Sequence, residues 1–199
     1  DGRGTMRTLT YCVAATLDGF IAGPEGGDPS GEDYMAVTPD LVEFIATHYP
    51  ETLPGPAREA MGLTEPGQVF DTVVEGRRSY DIGLAAGIDD AYPHLRHLVV
   101  STTLGSASAP AVEVVSGDPL RRVRELKAED GLGIWLVGGG RLAHALLPEI
   151  DRLVIKLNPS VIGSGTPLFD GDFAPTLFET VGVTSLAGGV QVITCERRA

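Results

Sequence analysis

The sequence is poor in positive charge and in long apolar runs, and each shortage excludes a class of function. Its 15 lysines and arginines stand against 27 aspartates and glutamates, which gives a net charge of −12. Nucleic acids and anionic membranes bind basic faces, so we expect neither as a partner. No apolar run approaches the roughly 18 residues of a membrane span, and the amino end lacks the plan of a signal peptide. We therefore predict a cytoplasmic protein that acts on a small molecule.

The sequence also has few metal-binding side chains. Cys12 and Cys195 lie in strand-like apolar segments and are predicted to be reduced core thiols. A zinc deaminase unit is excluded, because both His-x-Glu and Pro-Cys-x-x-Cys are missing. The four histidines have no metal-ligand spacing, so no metal is predicted, and each is expected at the surface or at a helix end. They are His48, His94, His97 and His144.

Hydrophobic periodicity predicts alternating strands and helices in one domain. Residues 1–5, before Met6, are predicted to be an expression remnant, and residues 6–199 are long enough for a single core. Predicted strands cover 9–17, 69–74, 97–101, 111–115, 134–137 and 152–157, and predicted helices begin at 38, 76, 118 and 140. The tail has two β-rich runs, 176–186 and 191–197, joined by a Gly188-Gly189 hairpin signal. The pattern predicts an α/β fold of three layers, with a mostly parallel sheet and an antiparallel carboxyl-terminal hairpin.

Glycine is plentiful, and its most informative cluster is the run Gly138-Gly139-Gly140 after the apolar strand 134–137. Glycines let the backbone approach a ligand closely, and free N–H groups at the start of the next helix favour an anion such as a pyrophosphate. The alternative is a tight strand-to-helix turn that binds nothing.

Two further polar segments follow predicted strands, at 76–79 and at 101–103. Taken singly, they are an exposed basic helix start and a polar loop. Ligands of parallel sheets bind at the carboxyl ends of the strands, so these segments and the glycine run together predict one extended anionic site. Arginine forks and neighbouring hydroxyls suit phosphate oxygens.

Four segments occur in an order that resembles the dihydrofolate reductase superfamily. They are Ala-Ala-Thr-Leu-Asp-Gly-Phe-Ile-Ala-Gly (14–23), Val-Glu-Gly-Arg-Arg-Ser-Tyr (74–80), Leu-Val-Val-Ser (98–101) and Val-Gly-Gly-Gly-Arg (137–141). The resemblance covers nearly the whole chain from Met6. Segments 18–22 and 161–169 look most like the branch related to the reductase domain of the bacterial riboflavin-biosynthesis protein. This implies a dihydrofolate reductase-like fold and, because relatives of this branch commonly pair, a homodimer.

The resemblance implies NADPH as the cofactor. Ser101, followed by Thr102, would lie near the adenosine 2′-phosphate, and Ala15, Ile21 and Val137 would pack near the nicotinamide. The residues implied to hold the other phosphates are Gly76, Arg77, Arg78, Ser79, Gly138, Gly139, Gly140, Arg141 and Leu142.

A Rossmann dehydrogenase is the competing interpretation of the glycine run. Gly138, Gly140 and Ala143 formally satisfy its G-x-G-x-x-G/A pattern. No acidic residue stands about 20 positions further on to bind a ribose hydroxyl, where this chain has Asn158 instead. The Rossmann interpretation is therefore the weaker one.

Two residues are candidates for catalysis. Asp40 falls where folate reductases carry their acidic proton donor, although an acid after Pro39 also simply stabilises a helix start. Lys156 stands where those enzymes usually carry a hydroxyl, and Glu43 replaces a large aromatic side chain. Lys156 would favour an anionic substrate, or it would pair with Asp40 or Glu43 and neutralise them. The predicted function is NADPH-dependent hydride transfer to a small heterocyclic or carbonyl substrate; the alternative is an NADP-binding protein without turnover.

Overall fold

The structure is a computed structural model that describes residues 6–198, so the predicted expression remnant lies outside the described residues. Its centre is an eight-stranded sheet. The sheet strands are β1 (Leu9–Thr16), β3 (Phe70–Gly76), β4 (Arg96–Val100), β5 (Glu113–Val115), β6 (Gly133–Gly138), β7 (Arg152–Asn158), β9 (Phe178–Ser185) and β10 (Gln191–Arg197). Their order in the sheet is β5-β4-β3-β6-β1-β7-β10-β9. The strands from β5 to β7 in this order are parallel, and β10 pairs antiparallel with both β7 and β9.

Helices cover both faces of this sheet and make the three predicted layers. They are α1 (Pro39–His48), α2 (Gly55–Ala60), α3 (Arg77–Ala85), α4 (Pro119–Ala128) and α5 (Gly140–Ala145), with two 3-10 turns at Pro50–Thr52 and Leu147–Glu149. On one face, side chains of α4 and α5 pack over β4, β3, β6 and β1. On the other face, Phe44 of α1 packs with Trp135 and Val192, and Tyr80 of α3 packs with Val99. None of the helices between residues 6 and 198 is long and apolar enough to cross a membrane.

The main strands, the helix starts and the Gly188-Gly189 hairpin agree with the sequence predictions, while the short elements do not. Strand β8 (Thr166–Pro167) was not predicted, and it pairs with the equally unpredicted β2 (Phe20–Ala22). Both strands are too short to show periodicity. Helix α2 was not predicted either, because six residues make less than two helical turns.

Candidate functional site

The candidate site lies where the carboxyl ends of β3 and β6 meet. These strands are neighbours, and Glu75 pairs with Gly138 at their ends. Gly76 then caps α3, which begins at Arg77, and Gly139 precedes α5, which begins at Gly140. The third predicted segment is next to them, because Gly76 also pairs with Val100, the last residue of β4 before Ser101. The fold therefore brings the three predicted anion-binding segments to adjacent strand ends.

The four glycines at this position have different reasons to be glycine. An added Cβ on Gly139 would meet only Ile21 Cδ1, at 4.0 Å, so this backbone faces open space. A Cβ on Gly76 would lie 3.3 Å from the Gly138 carbonyl oxygen, and Gly138 has a φ of +120° that side chains rarely adopt. A Cβ on Gly140 would collide with the Pro167 carbonyl, so packing alone requires that glycine. Backbone packing thus explains Gly140, whereas no packed neighbour requires a glycine at 139.

The basic start of α3 borders the same space. Ser79 Oγ donates to the Gly138 carbonyl at 3.3 Å and joins the two strand ends. Arg77 is half-exposed, and its Nε contacts Asp81 Oδ1 at 2.7 Å, one helical turn later. Among the described residues, its terminal nitrogens donate no hydrogen bond, so that end of the guanidinium is free to meet an anion. Arg78 is exposed.

The other predicted cofactor residues differ in exposure and in the hydrogen bonds that they already make. Ser101, at the end of β4, is buried, and its Oγ accepts from the N–H groups of Thr103 and Leu104. Thr102 beside it is exposed. Arg141 is exposed and its Nε contacts Asp170 at 3.1 Å. The side chain of Leu142 belongs to the core under α5, so only its backbone can contribute to a ligand site.

The residues predicted near the nicotinamide surround the strand ends from different sides. Ala15 lies on the same face of β1 as Tyr11 and Val13, which is the face under α5. Val137 packs into the cluster under α1, on the opposite face of the sheet. A ligand that touches both must therefore lie across the strand ends. Ile21 lies on the short strand β2, and its Cδ1 lies 3.8 Å from the Cβ position of Gly138.

The turn between β1 and β2, which leads into Ile21, is held in place by Asp18, to which no role was predicted. Its carboxylate accepts from Thr16 Oγ1 at 2.6 Å and from the N–H groups of Ile162 and Gly163 at 3.1 and 2.7 Å. The Thr16 hydroxyl is the largest cause of the lowered pKa of Asp18, and the two backbone N–H groups add to it. The residues around Asp18 in the sequence do not indicate this anchoring role, because two of the hydrogen-bond donors are more than 140 residues away.

Asp40 makes contacts that suit an anchor better than a proton donor. Its carboxylate accepts from the Thr38 hydroxyl, from Leu41 N–H at 3.0 Å and from Gly188 N–H at 2.9 Å. The Thr38 hydroxyl, followed by Gly188 N–H, lowers the pKa of Asp40. A general acid near neutral pH needs a raised pKa. The geometry therefore favours the structural role that the sequence left open.

Lys156 is half-buried on β7, beside Ala14 of β1 and Val192 of β10, on the face under α1. Within residues 6–198 it forms no ion pair with Asp40 or Glu43, so the predicted neutralising contact is not found. Cys12 lies on the same face, and burial raises the pKa of its thiol while the Lys156 charge opposes that effect. Both cysteines are free thiols, with Cys12 buried and Cys195 half-buried.

A buried ionic network lies behind the site, and it corrects the prediction for one histidine. His97 is 1% exposed, because it is part of β4 and not of a surface segment. Its ring nitrogens lie 2.7 Å from Glu75 Oε1 and 2.8 Å from Asp90 Oδ1. Burial lowers the pKa of His97, but the hydrogen bonds to these two carboxylates outweigh it and give a net rise. For Glu75, burial is the largest effect and raises the pKa of the carboxyl.

Comparison with known proteins identifies the family. A family model, the RibD C-terminal domain, matches residues 91–192, which is half of the chain. The chain belongs to the RibD C-terminal domain family. Its dihydrofolate reductase-like fold agrees with the resemblance read from the sequence, and the Rossmann interpretation of the glycine run is not supported. Among residues 6–198 no cluster of three histidine, cysteine or acidic side chains could hold a metal ion.

Two relatives from Bacillus subtilis (strain 168) are similar over most of their length. The uncharacterized protein YyaP is 29% identical over 82% of this chain and 81% of its own. The uncharacterized protein YwjB is 28% identical over 94% of this chain and 95% of its own. This chain thus spans most of the length of each relative.

Two solved structures share the fold. One is the crystal structure of a "Putative riboflavin biosynthesis protein" from Shewanella sp. PV-4, with a TM-score of 0.66, 22% identity and coverage of 98% of this chain and 100% of the other. The second is a diaminohydroxyphosphoribosylaminopyrimidine deaminase/5-amino-6-(5-phosphoribosylamino)uracil reductase from Thermotoga maritima, with a TM-score of 0.62 and 16% identity. It aligns with 97% of this chain, which spans 57% of that longer protein. At these identities the likeness shows the fold alone.

Proposed function

We propose that the chain is an NADPH-dependent oxidoreductase that reduces a small heterocyclic or carbonyl substrate. The observation that carries this proposal is the pairing of two strand ends, β3 and β6, each followed by glycine and a helix start. Membership of a reductase-type family supports the same conclusion.

The residues at the strand ends fit a dinucleotide. Gly139 leaves its backbone open, Arg77 offers its guanidinium end, and the first N–H groups of α3 have no side-chain cap to satisfy them. A chain with a net charge of −12 must use such local groups to hold phosphates. We assign Arg77 and Ser79 to the cofactor phosphates and residues 138–141 to the pyrophosphate.

The remaining cofactor contacts follow from this placement. Ser101 and Thr102 would contact the adenosine 2′-phosphate, and Ala15, Ile21 and Val137 would border the nicotinamide. NADPH supplies the hydride when it is bound. The protein itself would orient the two reactants and exclude water. Asp18 would contribute by fixing the turn that leads into Ile21.

Titration with NADPH and NADH tests the cofactor assignment. The signal recorded is the fluorescence of Trp135 or the heat of binding. We expect micromolar affinity for NADPH and weaker binding of NADH. Arg77→Ala should weaken NADPH binding roughly tenfold or more, because a hydrogen bond to a charged group is lost. Arg152→Ala is the matched control. Its side chain is 37% exposed, against 38% for Arg77, and it also pairs with a single carboxylate, but at the opposite edge of the sheet. Binding of neither nucleotide would refute the proposal.

One observation favours a second candidate function, a protein that binds NADP without turnover. Asp40, the acid that the resemblance implies as proton donor, accepts three hydrogen bonds and has a lowered pKa. These contacts make it a poor proton donor near neutral pH. Oxidation of NADPH in the presence of dihydrofolate, the ribosylaminopyrimidine phosphate and a panel of carbonyl compounds separates the two candidates. Oxidation with any of them favours the enzyme, and tight NADPH binding without oxidation favours the binding protein.

A further inference from the structure

The strand ends of the candidate site carry a buried carboxyl group that the proposed function does not use, that of Glu75. Glu75 immediately precedes Gly76 and pairs with Gly138 of the neighbouring strand. Alternation along β3 puts its side chain on the face of Val73, which packs in the same cluster as Val137. Since neighbouring strands lie about 4.8 Å apart, the Glu75 carboxyl starts one strand away from Val137, the residue assigned to the nicotinamide.

The two carboxyl oxygens of Glu75 have different surroundings. Oε1 lies 2.7 Å from His97 Nε2. Oε2 accepts no hydrogen bond from residues 6–198, yet it is not one of their fully buried polar atoms without a partner, so it keeps contact with solvent. The side chain as a whole is only 4% exposed, so this contact is a narrow opening. A carboxyl group with one oxygen held and the other open is suited to exchange a proton with a small bound molecule.

The group that holds Glu75 is itself fixed on several sides. His97 Nδ1 lies 2.8 Å from Asp90 Oδ1. The rings of Tyr80 and Tyr92 pack edge-on against the imidazole, with centroid separations of 6.1 and 5.6 Å. A ring with a carboxyl group at each nitrogen is stabilised with both nitrogens protonated. At 1% exposure His97 cannot reach a substrate, so it acts on one only through Glu75.

Charged groups from three elements face Glu75. They are His97 of β4, Asp90 of the segment before β4, and Asp81 of α3. Burial raises the pKa of Glu75, the two aspartates add to that rise, and His97 opposes it without cancelling it. Tyr92 also faces this cluster, and burial raises the pKa of its hydroxyl. Strand β6 contributes no ionisable side chain. Glu75 thus has the surroundings of a general acid that Asp40 lacks.

We propose that Glu75 is the proton donor of the proposed reduction, and that His97, oriented by Asp90, is its positioning residue. This inference rests on the proposed function. The carbon of a C=O or C=N bond in the substrate accepts a hydride from NADPH, whose electron pair forms the new C–H bond. The π pair of that double bond takes the proton from Glu75 Oε2. Glu75 is left as a carboxylate, which the His97 imidazolium stabilises, and water returns the proton through the opening.

The kinetics of Glu75→Gln, with the same panel of substrates, test the donor role. This variant should lower kcat roughly a hundredfold or more, because general acid catalysis contributes about 10²–10⁴-fold, and it should keep the NADPH affinity. The kcat of the wild type should fall as pH rises through the pKa of Glu75, and the variant should lose this fall. His97→Gln should move the fall to higher pH, because an imidazolium that favours the carboxylate is gone. A merely structural role of His97 would not move it.

Glu51→Gln is the matched control. Glu51 is completely buried and accepts a hydrogen bond from Val69 N–H at 2.7 Å, at the opposite end of β3. The control should keep the kcat and the pH profile of the wild type. A second measurement needs neither cofactor nor substrate. The infrared spectrum of the wild type near neutral pH should contain the C=O band of a protonated carboxyl group that is missing from Glu75→Gln and kept in Glu51→Gln.

Turnover by Glu75→Gln with the kcat and pH profile of the wild type would overturn the proposal, and so would the lack of that infrared band. Failure of the proposed function would look different, because the wild type itself would then oxidise NADPH with none of the compounds. The infrared band alone would decide in that case. Its presence would support Glu75 as the group that holds the proton, and its absence would overturn this assignment.

Discussion

The inner and outer halves of the sheet solve the same packing problem in different ways. The inner strands β5, β4, β3 and β6 are covered on both faces, by α4 and α5 on one side and by α3 and the segments around it on the other. Successive residues of these strands are buried on both faces, and Leu98, Val99 and Leu136 are completely buried. The outer strands β7, β10 and β9 have α1 on one face, whereas Ile155 and Ile193 on the opposite face are only half-buried.

The difference matters for the candidate site. That site uses the ends of inner strands, where a sheet that is packed on both faces fixes the backbone of Gly76 and Gly138. We therefore expect substitutions on the outer strands β9 and β10 to leave the candidate site undisturbed.

The largest effect should come from shortening matched leucines in the two halves. Leu98→Ala, in the inner half at 0% exposure, should lower the free energy of unfolding by about 2–5 kcal/mol because it leaves a cavity. Leu177→Ala, beside β9 at 66% exposure, should change it by no more than about 0.5 kcal/mol. Urea denaturation measures both. Equal losses would mean that the outer half is as tightly packed as the inner one.

A smaller effect concerns pH, and it should arise in the inner half. The raised pKa of His97 stabilises the fold fully below its unfolded value of about 6.5, and this contribution is lost as pH rises through the higher folded pKa. The raised pKa of Glu75 acts in the same direction from about pH 4.3 upward. Stability should therefore fall more steeply with rising pH in the wild type than in His97→Gln.

Urea denaturation at a series of pH values from mildly acidic to mildly basic measures this slope. The control is His48→Gln, at an exposed helix end, which should keep the wild-type slope. Identical slopes for the wild type and His97→Gln would show that the buried network does not titrate in this range.

The smallest effect should come from Asp40, which ties α1 to the hairpin of the outer half through Gly188. Its lowered pKa stabilises the fold above about pH 3.9, and this contribution is lost as pH falls through the folded value. Asp40→Asn should speed amide hydrogen exchange in the turn at Gly188 and Gly189 and lower the Tm slightly. Glu43→Gln, exposed on the same helix, should do neither.

The same variant tests catalysis if a substrate is found. With Asp40 as an anchor, the pH profile of kcat should be the same in Asp40→Asn and the wild type. Loss of turnover with unchanged NADPH affinity would instead restore Asp40 as the proton donor.

Much of the fold could be predicted from the sequence because its signals are local. Apolar runs predicted β1, β6 and β7. Pro39 and Asp118 indicated helix starts, and Gly188-Gly189 indicated the hairpin. The Asp118 side chain accepts from Leu120 N–H, as a helix cap should. The pairing of β2 with β8 could not be foreseen, because it joins Phe20 to Pro167 across most of the chain.

The candidate site divides in the same way. Residue types and spacing pointed to Arg77, Ser79 and the glycine run, and the fold brings them together. The sequence could not separate the glycine that packs against Pro167 from the glycine that faces open space. It also placed His97 at the surface, because a histidine between two distant carboxylates looks like any other histidine.

By itself, the sequence determined the order of strands and helices, the resemblance to a reductase family and the lack of a basic surface. These properties depend on neighbouring residues, on motif order or on simple sums of charge. Only the tertiary structure decided which carboxylates meet His97, what holds Asp40 and which sheet face stays uncovered. Alternation along a strand indicates that its side chains point to two faces. Only the packing of α1, α4 and α5 decides which of these faces is covered.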